Sequence, residues 1–209
     1  MTLTIENDKR VWVTSDPHYS HRNICRGTTV WRKEGGEIPI ESTRDFATVE
    51  DMNRAIIDNI NRVVQKQDVL ICLGDWSFNG PENVGRFRQQ LKCENVHLVL
   101  GNHDKHIEKD RWGLGRMFSS VSDYLRLTYM DYKIECFHYP IESWRGKHNK
   151  YPETVHIHGH CHLPHDKKVS GRRMDVGMDG HPEFRPYDLL QEVILPLTNS
   201  VEDQDNAVD

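Results

Sequence analysis

The sequence predicts a layered α/β fold, and three observations carry that prediction. Short apolar runs recur and stop abruptly at Asp, His or Asn. Helix-patterned segments separate the first three of these runs, which makes βαβ units and favours a parallel sheet. A hairpin pattern then opens a second half that is richer in β-structure and expected to be antiparallel.

The elements follow in order. The run from Val11 to Thr14 stops at Ser15-Asp16-Pro17-His18. Thr48 and Asp51 resemble a helix-capping pair, and Met52, Ile56, Ile60 and Val63 then mark one helix face. Val69 to Leu73 is a second strand, ending at Gly74-Asp75. Pro81 suits a first helical position, with Val84, Phe87 and Leu91 on a shared face. Val96 to Leu100 stops at Gly101-Asn102-His103-Asp104. Tyr124 to Thr128 and Lys133 to Phe137 form the hairpin around Met130-Asp131-Tyr132, and Phe137 runs into His138. Val155 to Ile157 is the last clear strand and ends at His158-Gly159-His160. Open α/β sheets place their sites at such C-terminal strand ends.

At 209 residues the chain has the size of one domain with a sizeable core. We expect a single domain over residues 1–198 and an acidic, disordered tail over 199–209. The net charge is −5, but Glu202, Asp203, Asp205 and Asp209 lie in the tail, so the body is nearly neutral. Global charge therefore argues neither for nor against nucleic acid. Five cysteines, odd in number and without a C-x-x-C pair, point to a reducing, cytoplasmic setting. No apolar run approaches membrane-spanning length, so no membrane partner is expected.

The densest chemistry is VHIHGHCH, residues 155–162, with His156, His158, His160 and His162. Taken alone, the tract allows two readings: ordinary polar turn residues, or metal ligands delivered at a strand end. The other strand ends supply partners in Asp16, His18, Asp75, Asn102 and His138. Oxygen and imidazole donors without thiolate suit manganese, iron, zinc or nickel. Asp16, His18, Asp75, Asn102, His138, His160 and His162 are too many for one tetrahedral ion and natural for two that share a carboxylate. Two ions held ~3.5–4 Å apart can clamp a phosphoryl group.

These motifs, in this order, resemble the calcineurin-like metallophosphoesterases, and most closely the short single-domain bacterial and phage members. The resemblance rests on D-x-H at Asp16 and His18, G-D at Gly74-Asp75, G-N-H-D at Gly101 to Asp104, His138 alone, and G-H-x-H at Gly159 to His162. It implies two packed mixed sheets flanked by helices, and two divalent ions, with manganese the first choice. By position, Asp16, His18, Asp75 and His162 would hold one ion. Asp75, Asn102, His138 and His160 would hold the other, with Asp75 bridging. His103 would be catalytic together with Asp75, contacting a phosphoryl oxygen or protonating the leaving alkoxide. The attacking group would be a metal-bound hydroxide.

His160 and His162 share a face of an extended segment, so both can reach such a pair while Cys161 points elsewhere. His158 could support a ligand, and His156 reads as structural. The resemblance breaks at Phe78, where many members carry an Asp that orients the catalytic histidine. Asp104 or a backbone carbonyl could take that role for His103. The phosphoprotein phosphatases also carry an Arg pattern that this chain lacks, which lowers that alternative.

Residues Tyr19 to Arg44 form a long segment without a clear element, and His21, Arg22 and Asn23 could meet phosphate oxygens there. WRGKHNKY, residues 144–151, could grip a base and its phosphate, or be a solvated loop. Trp76 reads as core, and Asp175 and Asp179, on an expected late strand, as structural. The expected activity is hydrolysis of a phosphate ester, with a nucleotide or short phosphodiester favoured over extended nucleic acid. A non-catalytic metal-containing scaffold protein is the alternative from another class.

Overall fold

The computed structural model describes residues 1–25, 44–148 and 154–198. The acidic tail, most of the segment from Tyr19 to Arg44, and Asn149 to Tyr151 of WRGKHNKY lie wholly or partly outside them.

Two mixed sheets are packed together and flanked by helices. The first comprises β2 (Val11–Thr14), β3 (Val69–Cys72), β4 (Asn95–Val99), β5 (Ser120–Ser122) and β11 (Tyr187–Asp188), in the order β11-β2-β3-β4-β5. Strands β2 to β5 are parallel, and β11 runs antiparallel to β2. The second comprises β1 (Thr2–Ile5), β6 (Leu125–Tyr129), β7 (Tyr132–Cys136), β8 (Thr154–His158), β9 (Val169–Ser170) and β10 (Arg173–Asp175), in the order β1-β6-β7-β8-β10-β9.

Period-two alternation sorts each strand between two cores. Val11, Val13, Ile71 and Val99 face inward and meet Leu127, Ile134, Val155 and Ile157 of the second sheet. Trp12, Leu70, Cys72, Val96 and Leu98 face outward and are covered by helices. Helix α1 (Val49–Val63) contributes Met52, Ile56 and Ile60 to that cover, and α2 (Glu82–Gln90) contributes Val84 and Phe87. Thr48 starts α1 as its sequence suggests, its hydroxyl accepting from the Asp51 N–H at 3.1 Å. Trp76 is buried against Phe87 and Phe118, as expected of a core residue.

The expectation of an antiparallel second half is corrected here. In the second sheet only the β6–β7 hairpin and the β9–β10 pair are antiparallel among the described strands, whereas β1–β6, β7–β8 and β8–β10 are parallel. The connection over residues 137–153 is long enough to cross back, so β8 returns in the direction of β7. As a result β7, β8 and β10 all end at one edge of their sheet, as β2, β3 and β4 do in the first.

Candidate active site

That shared edge gathers the strand-end side chains. Asp16, His18, Asp75, His160 and His162 all adopt positive φ, between 49° and 68°, though none is glycine. Such a backbone costs about 1–3 kcal/mol per residue and persists only where the surroundings enforce it. The enforcement is visible. Asp104 accepts from the backbone N–H groups of Asp75, Trp76 and Gly101 at 2.8–2.9 Å, which ties the turns after β3 and β4 together. A Cβ on Gly74 would collide with the Gly101 backbone, and one on Gly159 with Ser15 and Asp16. The glycines of the G-D, G-N-H-D and G-H-x-H motifs thus permit the close approach of the turns.

All seven expected ligands come together. His18 Nε2 lies 3.5 Å from Asp16 Oδ1 and 3.4 Å from Asp75 Oδ2. His162 Nε2 lies 3.7 Å from Asp16 Oδ1, and His138 Nε2 lies 3.7 Å from Asp75 Oδ2. Asn102 Oδ1 sits 3.0 Å from both His138 Nε2 and His160 Nδ1. Asp16, His18 and His162 form one group that could hold a metal ion, and Asp16, Asp75 and His138 a second.

The orientation of these rings is fixed from behind. His138 Nδ1 donates to the Leu73 carbonyl at 2.6 Å, which leaves Nε2 facing Asp75. His162 Nδ1 lies 2.8 Å from Asp179 Oδ2. Asp179 is gripped by Arg44, whose guanidinium is fully buried and also donates to the carbonyls of Asp16 and Pro17. Asp179 sits on a short 3-10 turn, Met178–Gly180, and not on a strand as its sequence suggests.

The electrostatics are those of crowded, buried carboxylates and imidazoles. Burial opposes the charge of Asp16, but His162, His18 and His138 outweigh it and hold the carboxyl well below its usual range. Burial and the neighbouring Asp16 push Asp75 up instead. His18 is pushed down to about 3, first by burial. Burial also works against charge on His162, yet Asp16 and Asp179 raise it to about 9. Among the described residues, Asp16 Oδ1 and both ring nitrogens of His18 are buried without a hydrogen-bond partner. Buried polar atoms of this kind cost free energy unless something coordinates them. Oxygen and imidazole donors aimed at a common volume fit divalent ions.

The remaining candidates are placed as follows. His103 is exposed at the mouth, and its backbone N–H donates to Asp75 Oδ1 at 2.9 Å. Asp104 spends its carboxylate on backbone N–H groups, and among the described residues no hydrogen bond joins it to the His103 ring. Phe78 lies there, with ring centroids 4.6 Å apart, and stacks on His21 at 3.7 Å. His21 is buried beside His18, whereas Arg22 and Asn23 are exposed. Trp144 is not free to stack on a base: its ring is buried against His156, and its N–H meets the Thr154 carbonyl. His156 is structural, held between Glu135 and Ile141. Sequence reasoning missed Arg44, which carries no motif, and underweighted Asp179.

A two-sheet α/β sandwich with carboxylates and imidazoles converging at its strand ends defines a scaffold that could hold metal ions. The chain belongs to the calcineurin-like phosphoesterase family, whose family model matches residues 9–202. The uncharacterized protein MJ1445 of Methanocaldococcus jannaschii is 28% identical over 159 residues, covering 75% of this chain and 72% of that protein. The fold is also that of AQ665 of Aquifex aeolicus, a protein of unknown function, with a TM-score of 0.57 at 21% identity, covering 86% of this chain and 95% of that one. No helix among the described residues is long and apolar enough to cross a membrane.

Proposed function

We propose that this protein is a dinuclear, metal-dependent phosphoesterase. One observation carries the reading: Asp75 Oδ2 stands between His18 Nε2, at 3.4 Å, and His138 Nε2, at 3.7 Å, so one carboxylate faces two groups of donors. Asp16, His18, Asp75 and His162 would hold one divalent ion, and Asp75, Asn102, His138 and His160 the other. Bound there, the ions would polarise a phosphoryl oxygen and make water a stronger nucleophile at neutral pH. Manganese is our first choice, with iron, zinc and nickel as alternatives.

The chain's own groups do the rest. His103, exposed at the mouth, hands a proton to the departing alkoxide. His21 and Phe78 wall the site beside it, and the burial of the pocket floor keeps bulk water from Asp16 and His18. Tyr139 sits at the rim with its ring 4.7 Å from that of His160, and it is partly exposed. An aromatic face beside a phosphate site favours a nucleotide or short phosphodiester as substrate. The reduced cysteines support a cytoplasmic location.

The test is a panel of phosphate mono- and diesters, including nucleotides and a phosphopeptide, turned over by protein loaded with manganese or nickel. Turnover of small esters is expected. Preference for the phosphopeptide would move the reading to a phosphoprotein phosphatase, and loading of two ions with no turnover would favour a non-catalytic scaffold.

A further inference from the structure

We propose a third cation site, built from His158, Cys161 and Asp175 and chemically different from the pair. It shares no donor with that pair and does not rest on the phosphoesterase reading.

The fold places these residues together for identifiable reasons. Strands β8 and β10 are parallel neighbours, and their register pairs His158 with Asp175, so both side chains leave the same face side by side. Beyond His158 the chain folds back, with the Cys161 N–H donating to the Gly159 carbonyl at 2.8 Å. His160 and His162 flank that turn with positive φ of 68° and 49°. This sends His160 to Asn102 and His162 to Asp16 and Asp179. Cys161 is left on the other side, where it joins His158 and Asp175. One donor atom from each of the three lies within 4.8 Å of the other two.

Two of the donors, His158 and Asp175, are held the way metal ligands are held. His158 Nδ1 donates to the Gly159 carbonyl at 2.9 Å, which fixes the tautomer and leaves Nε2 with its lone pair. Asp175 Oδ1 accepts from Gly177 N–H at 2.8 Å, and Oδ2 from Leu163 N–H at 3.3 Å. Such outer hydrogen bonds orient imidazole and carboxylate ligands and are found around most metal sites. His158 and Asp175 are only 2% and 1% exposed, whereas Cys161 is half-buried and opens the cluster to solvent. Among the described residues no hydrogen bond engages His158 Nε2.

The donor set decides the ion. Imidazole, thiolate and carboxylate with a position left for water suit zinc or a similar borderline ion, and cobalt reports on it. Manganese, which favours oxygen and nitrogen, is poorly served. On binding, the Cys161 thiol loses its proton to solvent and its sulfur bonds the ion; no electron is transferred.

The experiment titrates chelator-treated full-length protein with cobalt and follows the near-ultraviolet charge-transfer band that a thiolate ligand produces. The wild type should show the band, and Cys161→Ser should lose it while binding about one ion fewer at saturation. Manganese binding by that variant should match wild type, because the pair is intact. His158→Gln keeps the thiol and should weaken the band-forming site at least ~10-fold. Absence of the band in wild type would overturn the proposal. So would its persistence in Cys161→Ser, which would assign it to Cys25, Cys72, Cys93 or Cys136. Should Cys161→Ser fail to fold, His158→Gln decides: cobalt affinity equal to wild type would sink the site.

Discussion

Replacing Arg44 with Met tests how the site is held, because Met fills similar volume without charge or donors. The guanidinium is 0% exposed and meets Asp179 twice, at 2.7 and 3.1 Å. It also donates to the carbonyls of Asp16 at 2.6 Å and Pro17 at 3.1 Å. Removing one partner of a buried ion pair strands the other charge, and the usual cost is about 3–5 kcal/mol. Asp179 keeps its contact with His162 in partial compensation, so we expect a loss near the lower end, about 3 kcal/mol, in urea unfolding at neutral pH. The freed carboxylate should also let the His162 ring swing, lowering metal affinity about 10–100-fold.

The double variant Arg44→Met, Asp179→Asn isolates the cause. With no stranded charge it should recover a large part of the lost stability, although metal affinity stays low because His162 remains unanchored. Isothermal titration with manganese and urea melts on the metal-free proteins give the two quantities separately. A single variant that loses less than about 1 kcal/mol, or a double variant as unstable as the sum of its parts, would refute the argument.

Other consequences are equally open to measurement. His103→Ala should keep the wild-type metal content and lower turnover of alkyl phosphates by about 10²–10⁴-fold, with a smaller loss on nitrophenyl esters, whose leaving group needs no proton; loss of an ion would make His103 a ligand. Asp75→Asn should lower occupancy of both ions of the pair in elemental analysis, and loss of only one would remove Asp75 as the bridge. Burial opposes the charge of Glu192, but the bidentate Arg185 and the Asp188 N–H outweigh it and lower its pKa from 4.5 to about 2. A depressed carboxylate contributes stability above its unfolded pKa and loses it as pH falls through the folded value. Discounted for partial exposure, Glu192→Gln should cost about 1–2 kcal/mol at neutral pH, with the difference vanishing by about pH 2; a pH-independent difference would assign the effect to packing.

The βαβ half was legible because its signals are local. A capping Thr48 and apolar residues at helical spacing identify α1, and β-branched runs identify β2 and β3. Strand direction in the second half was not legible, since the hairpin is encoded by its turn while the parallel return of β8 depends on a long connection. Strand β1 was missed for a related reason. Leu3 and Ile5 alternate with Thr2 and Thr4, but over only four residues, and the strand is defined by its pairing with β6 from Thr2↔Arg126 to Ile5↔Tyr129.

The candidate ligands were readable for a different reason than the residues that hold them. A ligand must be one of few residue types and must follow a strand, so Asp16, Asp75 and His138 stand out in one dimension. Support requires only a partner of the right polarity at the right place, which Arg44 meets from the end of a patternless segment. The same logic explains Phe78: orienting His103 needs an object beside its ring, and the structure supplies an aromatic face where a carboxylate was sought. Ring contact fixes position without supplying charge. In the proposed reaction His103 would act with the acidity its own surroundings give it, and burial and the nearby His138 lower that pKa. With His103 as the proposed proton donor, substituting Phe78 should alter the leaving-group dependence of turnover. An accompanying change in metal content would trace to the His18 ring, which also stacks on Phe78 with centroids 5.0 Å apart.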